Sequence, residues 1–343
     1  MTDLLSLAGN PSSVHQFGRG ARDVIETSRD RVANMIGAEP DEIIFTAGGT
    51  ESNNMALFGS GRKRIVSSVM EHPSVLEAAK SMLEYEGRSE RSLKLVPVDE
   101  NGVVEPSSVE KAIGPDGENV LVSIMLANNE TGVIQPIQEI TSLVKERGAL
   151  IHCDAVQAPG RIPFDVKKLG VDLLSISAHK IGGPKGVGAL FIRNDLRLDP
   201  LVIGGGQERG LRPGTENVIG IVGFGVAAGL VSQDLQNMNY IEGLRDLLEQ
   251  KLCSLEPRVR VFSKDAKRLP NTTCLSMPGV QSEMQVMGLD LAGVAVSAGS
   301  ACSSGKVEPS HVLMALDLPS EDIGCAIRIS FGWGSEKSDV EKL

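Results

Sequence analysis

The stretch that most constrains the fold is residues 171–188, VDLLSISAHKIGGPKGVG. Residues 171–176 are mostly apolar and of strand length, so they read as a buried strand of an α/β sheet. The run turns polar at Ser177, His179 and Lys180 and breaks at Gly182, Gly183 and Pro184. A strand that stops this abruptly places its last side chains at the carboxyl edge of the sheet, where open α/β folds bind ligands. Lys180 then stands at the mouth of a cleft, partly desolvated. Burial lowers an ammonium pKa, and a lysine so placed forms a Schiff base with a carbonyl compound. On this stretch alone, a surface lysine on a loop fits equally well.

Strand and helix alternate through the first two thirds of the chain. Strands are expected over 42–46, 64–68, 93–98, 119–127, 149–153 and 187–193, and helices over 20–36, 136–147 and 165–169. Another helix starts at Glu71-His72-Pro73, with proline in its first turn. This alternation means a mostly parallel sheet with helices on both faces. From Gly204 the sequence GGGQERGLRPGT becomes a long polar loop, and a loop of this size in a compact domain is usually functional. Residues 218–255 read as helical, with a domain boundary near Asp234. Residues 1–234 form a large domain and 235–343 a smaller α+β unit, with strands near 259–262, 272–277, 295–298 and 327–331.

At 343 residues the chain can bury one large core or two coupled domains. Its net charge of −10 argues against nucleic acid as a direct partner. The basic run Arg62-Lys63-Arg64 reads as the solvated entry to a strand. The apolar runs fall short of a membrane span and no signal peptide opens the chain, which suggests a cytoplasmic protein without a membrane partner. The five cysteines are odd in number and none has C-x-x-C spacing, which argues against a disulfide framework and a zinc site. A cysteine that matters here matters singly, as a thiol.

Residues at other element ends complement Lys180. Asp154 is a carboxylate where a strand exits, although a helix cap or salt bridge would also explain it. His72 precedes a helix, where it would serve equally as a cap or a core histidine. The turn around Gly49 and Thr50, AGGTESN, leaves backbone N–H groups free at a helix start, a seat for phosphate or else a plain glycine-rich turn. It matches neither a Walker nor a G-x-G-x-x-G pattern. Asn128-Asn129-Glu130-Thr131-Gly132 is too polar for a buried turn unless something binds there. A cofactor with an aldehyde, a phosphate and a ring nitrogen would use this set, and pyridoxal phosphate is that cofactor.

The chain resembles the cysteine desulfurases of the NifS/IscS branch, within the class V aminotransferases and the fold-type I pyridoxal phosphate enzymes. The resemblance is carried by GNPSSVH (9–15), TAGGTESNN (46–54), EHPSV (71–75), NNETGVIQPI (128–137), HCDAVQ (152–157), SAHKIGGPKGVGAL (177–190), GGGQERGLRPGT (204–215), SAGSACSSG (297–305) and IRISFG (327–332). It implies a large α/β domain with a mostly parallel seven-stranded sheet and a smaller α+β domain. It further implies that Lys180 carries the cofactor as a Schiff base, Asp154 pairs with the ring nitrogen, Gln157 bonds the phenolic oxygen and His72 stacks on the ring. Gly49, Thr50, Ser177 and His179 would hold the phosphate, with Thr215 contributed by the second subunit of a homodimer. Asn129 and Arg328 would hold the carboxylate of an L-cysteine substrate.

The resemblance assigns Cys302 the sulfur-accepting role. The thiol lies in Ser-Ala-Gly-Ser-Ala-Cys-Ser-Ser-Gly, small residues with nothing bulky to bury it, whereas Cys153 in its strand reads as buried and inert. Sulfur would pass from a Cys302 persulfide to an iron–sulfur scaffold or thiolation partner, with Cys302 a transient cluster ligand there and no resident metal. The family's opening strand is missing ahead of Gly9 and its C-terminal helix is cut short after Ser335, so a truncated reading frame is expected. Three other readings are a selenocysteine lyase or transaminase with the same cofactor, a non-catalytic sulfur-trafficking relative, and a dinucleotide-binding protein. The last is suggested by GFGVAAG (223–229), which lacks a preceding strand.

Overall fold

The structure is a computed structural model that describes residues 9–84, 92–298 and 309–343. Helix α1 (Gln16–Ile36) leads into β1 (Ile43–Thr46), α2 (Gly49–Gly59), β2 (Arg64–Ser68) and α3 (Pro73–Glu84). Next come β3 (Ser92–Val96), α4 (Pro106–Ile113), β4 (Val120–Ser123), α5 (Ile137–Glu146) and β5 (Leu150–Asp154). Then follow α6 (Val166–Leu169), β6 (Leu173–Ser177), β7 (Gly188–Ile192) and the long α7 (Val218–Leu255). The remainder is β8 (Arg260–Val261), β9 (Thr272–Ser276), α8 (Ser282–Leu291), β10 (Ser297–Ala298), α9 (His311–Met314), α10 (Ser320–Gly324), β11 (Ala326–Ser330) and α11 (Lys337–Lys342).

Strands β1 to β7 form one sheet in the order β1-β7-β6-β5-β4-β2-β3. It is parallel except at β7, which runs antiparallel to both β1 and β6. Side chains alternate between the faces with the period-two geometry of strands. Ile43, Phe45, Val122, Ile151, Leu174 and Phe191 face a core shared with α1, α4, α5 and α7. Ile44, Leu121, Leu150, Leu173 and Leu190 face a second core with α2 and α3. Burying such a side chain contributes about 1.5–3 kcal/mol, so the central strands are held from both sides. A second, antiparallel sheet has the order β10-β11-β9-β8.

Two expectations are corrected. The strand expected over 119–127 ends at Ser123. Beyond it the chain still donates to β5, from Ile124 N–H to His152 O and Leu126 N–H to Asp154 O, but β2 on the other side has turned away after Ser68. The second correction concerns apolar length: α7 is long and apolar enough to cross a membrane by length and composition alone. Here Ile221, Phe224 and Ala228 of α7 join the core beneath the large sheet. The helix runs unbroken through Asp234.

Candidate active site

One cleft of about 320 Å³ opens at the carboxyl ends of the large sheet and reaches the edge of the small one. Lys180 enters it because β6, buried along its whole length, stops at Ser177 and passes into the short turn Ala178–Ile181. Gly182, at φ 77°, ends that turn in the left-handed region open to glycine. Asp154 ends the neighbouring strand β5. Its Oδ2 accepts from Asn53 Nδ2 at 2.8 Å and its Oδ1 from Val156 N–H at 3.0 Å, leaving the carboxylate 7% exposed on the cleft.

His72, Ser177, His179, Gln157, Asn129 and Arg328 line the same cleft, as do Gly49 and Thr50. His72 Nδ1 accepts the Ser74 N–H at 3.1 Å, so the neutral ring carries its proton on Nε2. Burial lowers the His72 pKa; Asp154 opposes the shift, and the charges of Lys180 and His311 add to it. The His72 ring is therefore neutral at pH 7. At the start of α2 no side chain caps the helix, and its first N–H groups have no intrahelical acceptor. A Cβ at Gly49 would lie 2.8 Å from Val156 Cγ2, so a larger residue would close the seat. Ser177 Oγ and His179 Nδ1 are 2.9 Å apart beside it.

The opposite wall comes from β11. Arg328 donates from Nη1 to Asn129 O at 2.8 Å and from Nη2 to Ser297 Oγ at 3.1 Å, while its buried Nε has no hydrogen-bond partner among the described residues. A guanidinium held this way at a cleft is suited to a carboxylate.

Thr215 is exposed and does not line this cleft. The loop that carries it is anchored by Glu208, a buried carboxylate that takes both terminal nitrogens of Arg29 at 2.8 Å and the Phe45 N–H. Glu208 and Arg209 adopt φ 41° and 58°, the left-handed region, to make that turn. Cys302 lies outside the described residues.

Several cleft residues had no role in the sequence reading. Asn53 donates to Asp154 and to Ser74 Oγ, at 2.8 Å each, and so links the Asp154 carboxylate to the hydroxyl that contacts His72. Glu130 is buried, accepts from Ser310 Oγ at 2.5 Å, and has its pKa raised by burial against the opposing influence of Ser310 and His311. His311 Nε2 meets the Glu71 carbonyl at 2.9 Å, which requires the proton on Nε2. Glu71 itself is fully buried, and burial pushes its pKa up to about 8. Asn53 and Glu71 sit inside quoted motifs, and Ser310 is the N-cap of α9, the one local signal that precedes His311.

The aminotransferase class-V family model matches residues 1–343. The chain is 46% identical to the cysteine desulfurase IscS of Dictyoglomus turgidum over 341 residues, covering 97% of this chain and 84% of that protein. It is 42% identical to a cysteine desulfurase of Nostoc sp., covering 100% and 86% of the two chains. Among solved structures, a NifS-like protein from Rickettsia africae aligns with a TM-score of 0.89 at 36% identity, covering 99% of this chain and 91% of that one.

Proposed function

The chain belongs to the aminotransferase class-V family, and we propose that it is a pyridoxal phosphate-dependent cysteine desulfurase. It would convert L-cysteine and the Cys302 thiol into L-alanine and a Cys302 persulfide. The observation that carries the reading is the meeting of the Lys180 amine and the Asp154 carboxylate in one cleft, beside an uncapped helix start.

The residues present fit the cofactor. Lys180 would hold its aldehyde, Asp154 its ring nitrogen, Gln157 its phenolic oxygen and His72 its ring face. The α2 start at Gly49 and Thr50, with Ser177 and His179, would hold its phosphate, and Thr215 from a second subunit would complete that seat. When bound, the cofactor supplies an electron sink for the substrate's α-carbon. Arg328 and Asn129 would orient the substrate carboxylate so that the α-proton faces Lys180 Nζ, which accepts it. Neutral His72, with Nδ1 taken by the Ser74 N–H, would act through Nε2, which carries a proton it can offer.

Cys302 would receive the sulfur as a thiolate, the reactive form, and pass it to an iron–sulfur scaffold or thiolation partner. We further infer a cytoplasmic homodimer, each chain divided near Asp234 into a large cofactor domain and a small one. The exposed position of Thr215 supports the dimer, since within one chain it does not line the cleft.

Borohydride treatment of the cofactor-loaded protein followed by peptide mapping should place the adduct on Lys180. The replacement Cys302→Ser should keep the visible absorption band and make almost no alanine from L-cysteine. An adduct on Lys185, or normal turnover by Cys302→Ser, overturns the reading. Light scattering should give twice the monomer mass, and a monomer with full cofactor occupancy would remove the role of Thr215.

A further inference from the structure

Arg161 lies in the loop between β5 and α6, half-buried and bonded to two residues of the cleft, Gln157 and Lys180. Its Nη1 donates to the main-chain oxygen of Gln157 at 2.6 Å and to Gln157 Oε1, and its Nη2 donates to the main-chain oxygen of Lys180 at 3.4 Å. No carboxylate among the described residues pairs with it. Burial and the nearby Arg328 charge push its pKa down to about 10. A guanidinium withdrawn from water without a counter-charge loses solvation that only its hydrogen bonds replace.

An arginine that merely closed its own turn would bond the carbonyls of that turn, and one acceptor, the Gln157 main-chain oxygen, is of that kind. The other two are a side-chain amide and the main chain of a residue nineteen positions on. Both belong to cleft residues. The chemistry at Gln157 is directional. Arginine has donors and no acceptor, so the end of the amide it meets must be the oxygen. The amide nitrogen, with no protein partner among the described residues, is then the end left for the cleft.

We propose that Arg161 is a positioning residue of the cofactor site: it occupies Gln157 Oε1 and so presents the Gln157 amide nitrogen to the cleft as a donor. By holding the Lys180 carbonyl it also steadies the turn that carries the Lys180 amine. The assignment rests on the cleft being a pyridoxal phosphate site, where an oxyanion on the ring needs a donor and would be repelled by an amide oxygen. Without Arg161 the Gln157 amide is free to present either end.

The test is a double-mutant cycle of Arg161→Met and Gln157→Ala in cofactor-loaded protein, with Arg161→Lys as the conservative variant. Two quantities are read: the cofactor dissociation constant, and the pH midpoint of the bound cofactor's visible absorption. Arg161→Met should weaken the cofactor about tenfold and raise the midpoint by about half a pH unit or more. Arg161→Lys, which keeps a donor, should recover part of both. In the Gln157→Ala background Arg161→Met should add little to either. Equal shifts in both backgrounds would mean that the Arg161 charge acts directly, and no shift in either would mean that it only braces the loop; both overturn the proposal. If Arg161→Met does not fold, Arg161→Lys in the two backgrounds carries the same comparison at smaller amplitude. A wild type without a visible band would instead remove the cofactor reading, and this assignment with it.

Discussion

The two walls of the cleft are built to different standards. On the large-sheet side, Asp154 ends β5 and Lys180 follows β6, strands that are buried along their whole length and held in register on both edges. On the small-sheet side, Arg328 sits half-buried on β11, whose last residue, Ser330, is exposed. That wall is tied across the cleft by discrete polar bonds: Arg328 to Asn129 O, Ser310 to Glu130, and His311 to Glu71 O. Van der Waals packing of a closed sheet transmits little play, whereas a few hydrogen bonds fix only the atoms they join. The end of the cleft at Lys180 and Asp154 is thus preformed by the core, and the end at Arg328 is set by side chains.

Removing one charged group from each wall tests that difference. On the large-sheet side, Asp154→Asn keeps the shape and hydrogen-bonding size but removes the only charge facing the ring nitrogen in this reading. Alanine formation should fall about a thousandfold, roughly 4 kcal/mol in transition-state free energy, with thermal stability little changed. Steady-state kinetics that stay within tenfold of wild type would contradict the assignment of Asp154.

On the small-sheet side, Arg328→Ala should lower kcat/KM for L-cysteine about a hundredfold, near 2.7 kcal/mol, as expected for loss of charge-assisted bonds. Cofactor affinity should stay within about threefold of wild type. If cofactor binding drops as far as kcat/KM, the two walls are one unit and the comparison fails.

The same contrast governs how much could be read from the sequence. The large sheet was legible because mostly apolar runs of strand length, broken by turn residues, are local signals. One offset was not legible: the strand expected at 171–176 begins at Leu173, and Asp172 before it is bonded to Ile151, 21 positions away, through both its main chain and its carboxylate. Strand-end residues such as Lys180 and Asp154 announce themselves by polarity after an apolar run. Asn53, Glu130 and His311 do not, since each works through a partner far away in sequence. Asn53 and Asp154 are 101 positions apart, Ser310 and Glu130 180, and His311 and Glu71 240. No periodicity encodes such pairs.

The smallest effect concerns Glu71, a carboxyl on the well-packed side that is only half satisfied. Its Oε1 accepts from Ser68 Oγ at 2.7 Å and from Met125 N–H at 3.0 Å, and its Oε2 is buried without a partner among the described residues. Burial, assisted by the Asp154 charge, outweighs those two donors and raises its pKa from 4.5 to about 8. Between those values the folded protein holds a proton that the unfolded chain has released. Stability therefore falls as pH rises from about 4.5 and levels off once pH passes about 8, the reverse of a salt-bridged carboxylate. Glu71→Gln keeps the accepting oxygen and cannot ionise, so it should lie close to wild type near pH 5 and become progressively the more stable of the two as pH rises to about 8. Urea unfolding of both proteins across pH 5 to 9 reads this directly. Parallel stability curves would mean that Glu71 is already ionised in the folded state, and that the packed wall admits the water or structural relaxation that ionisation requires.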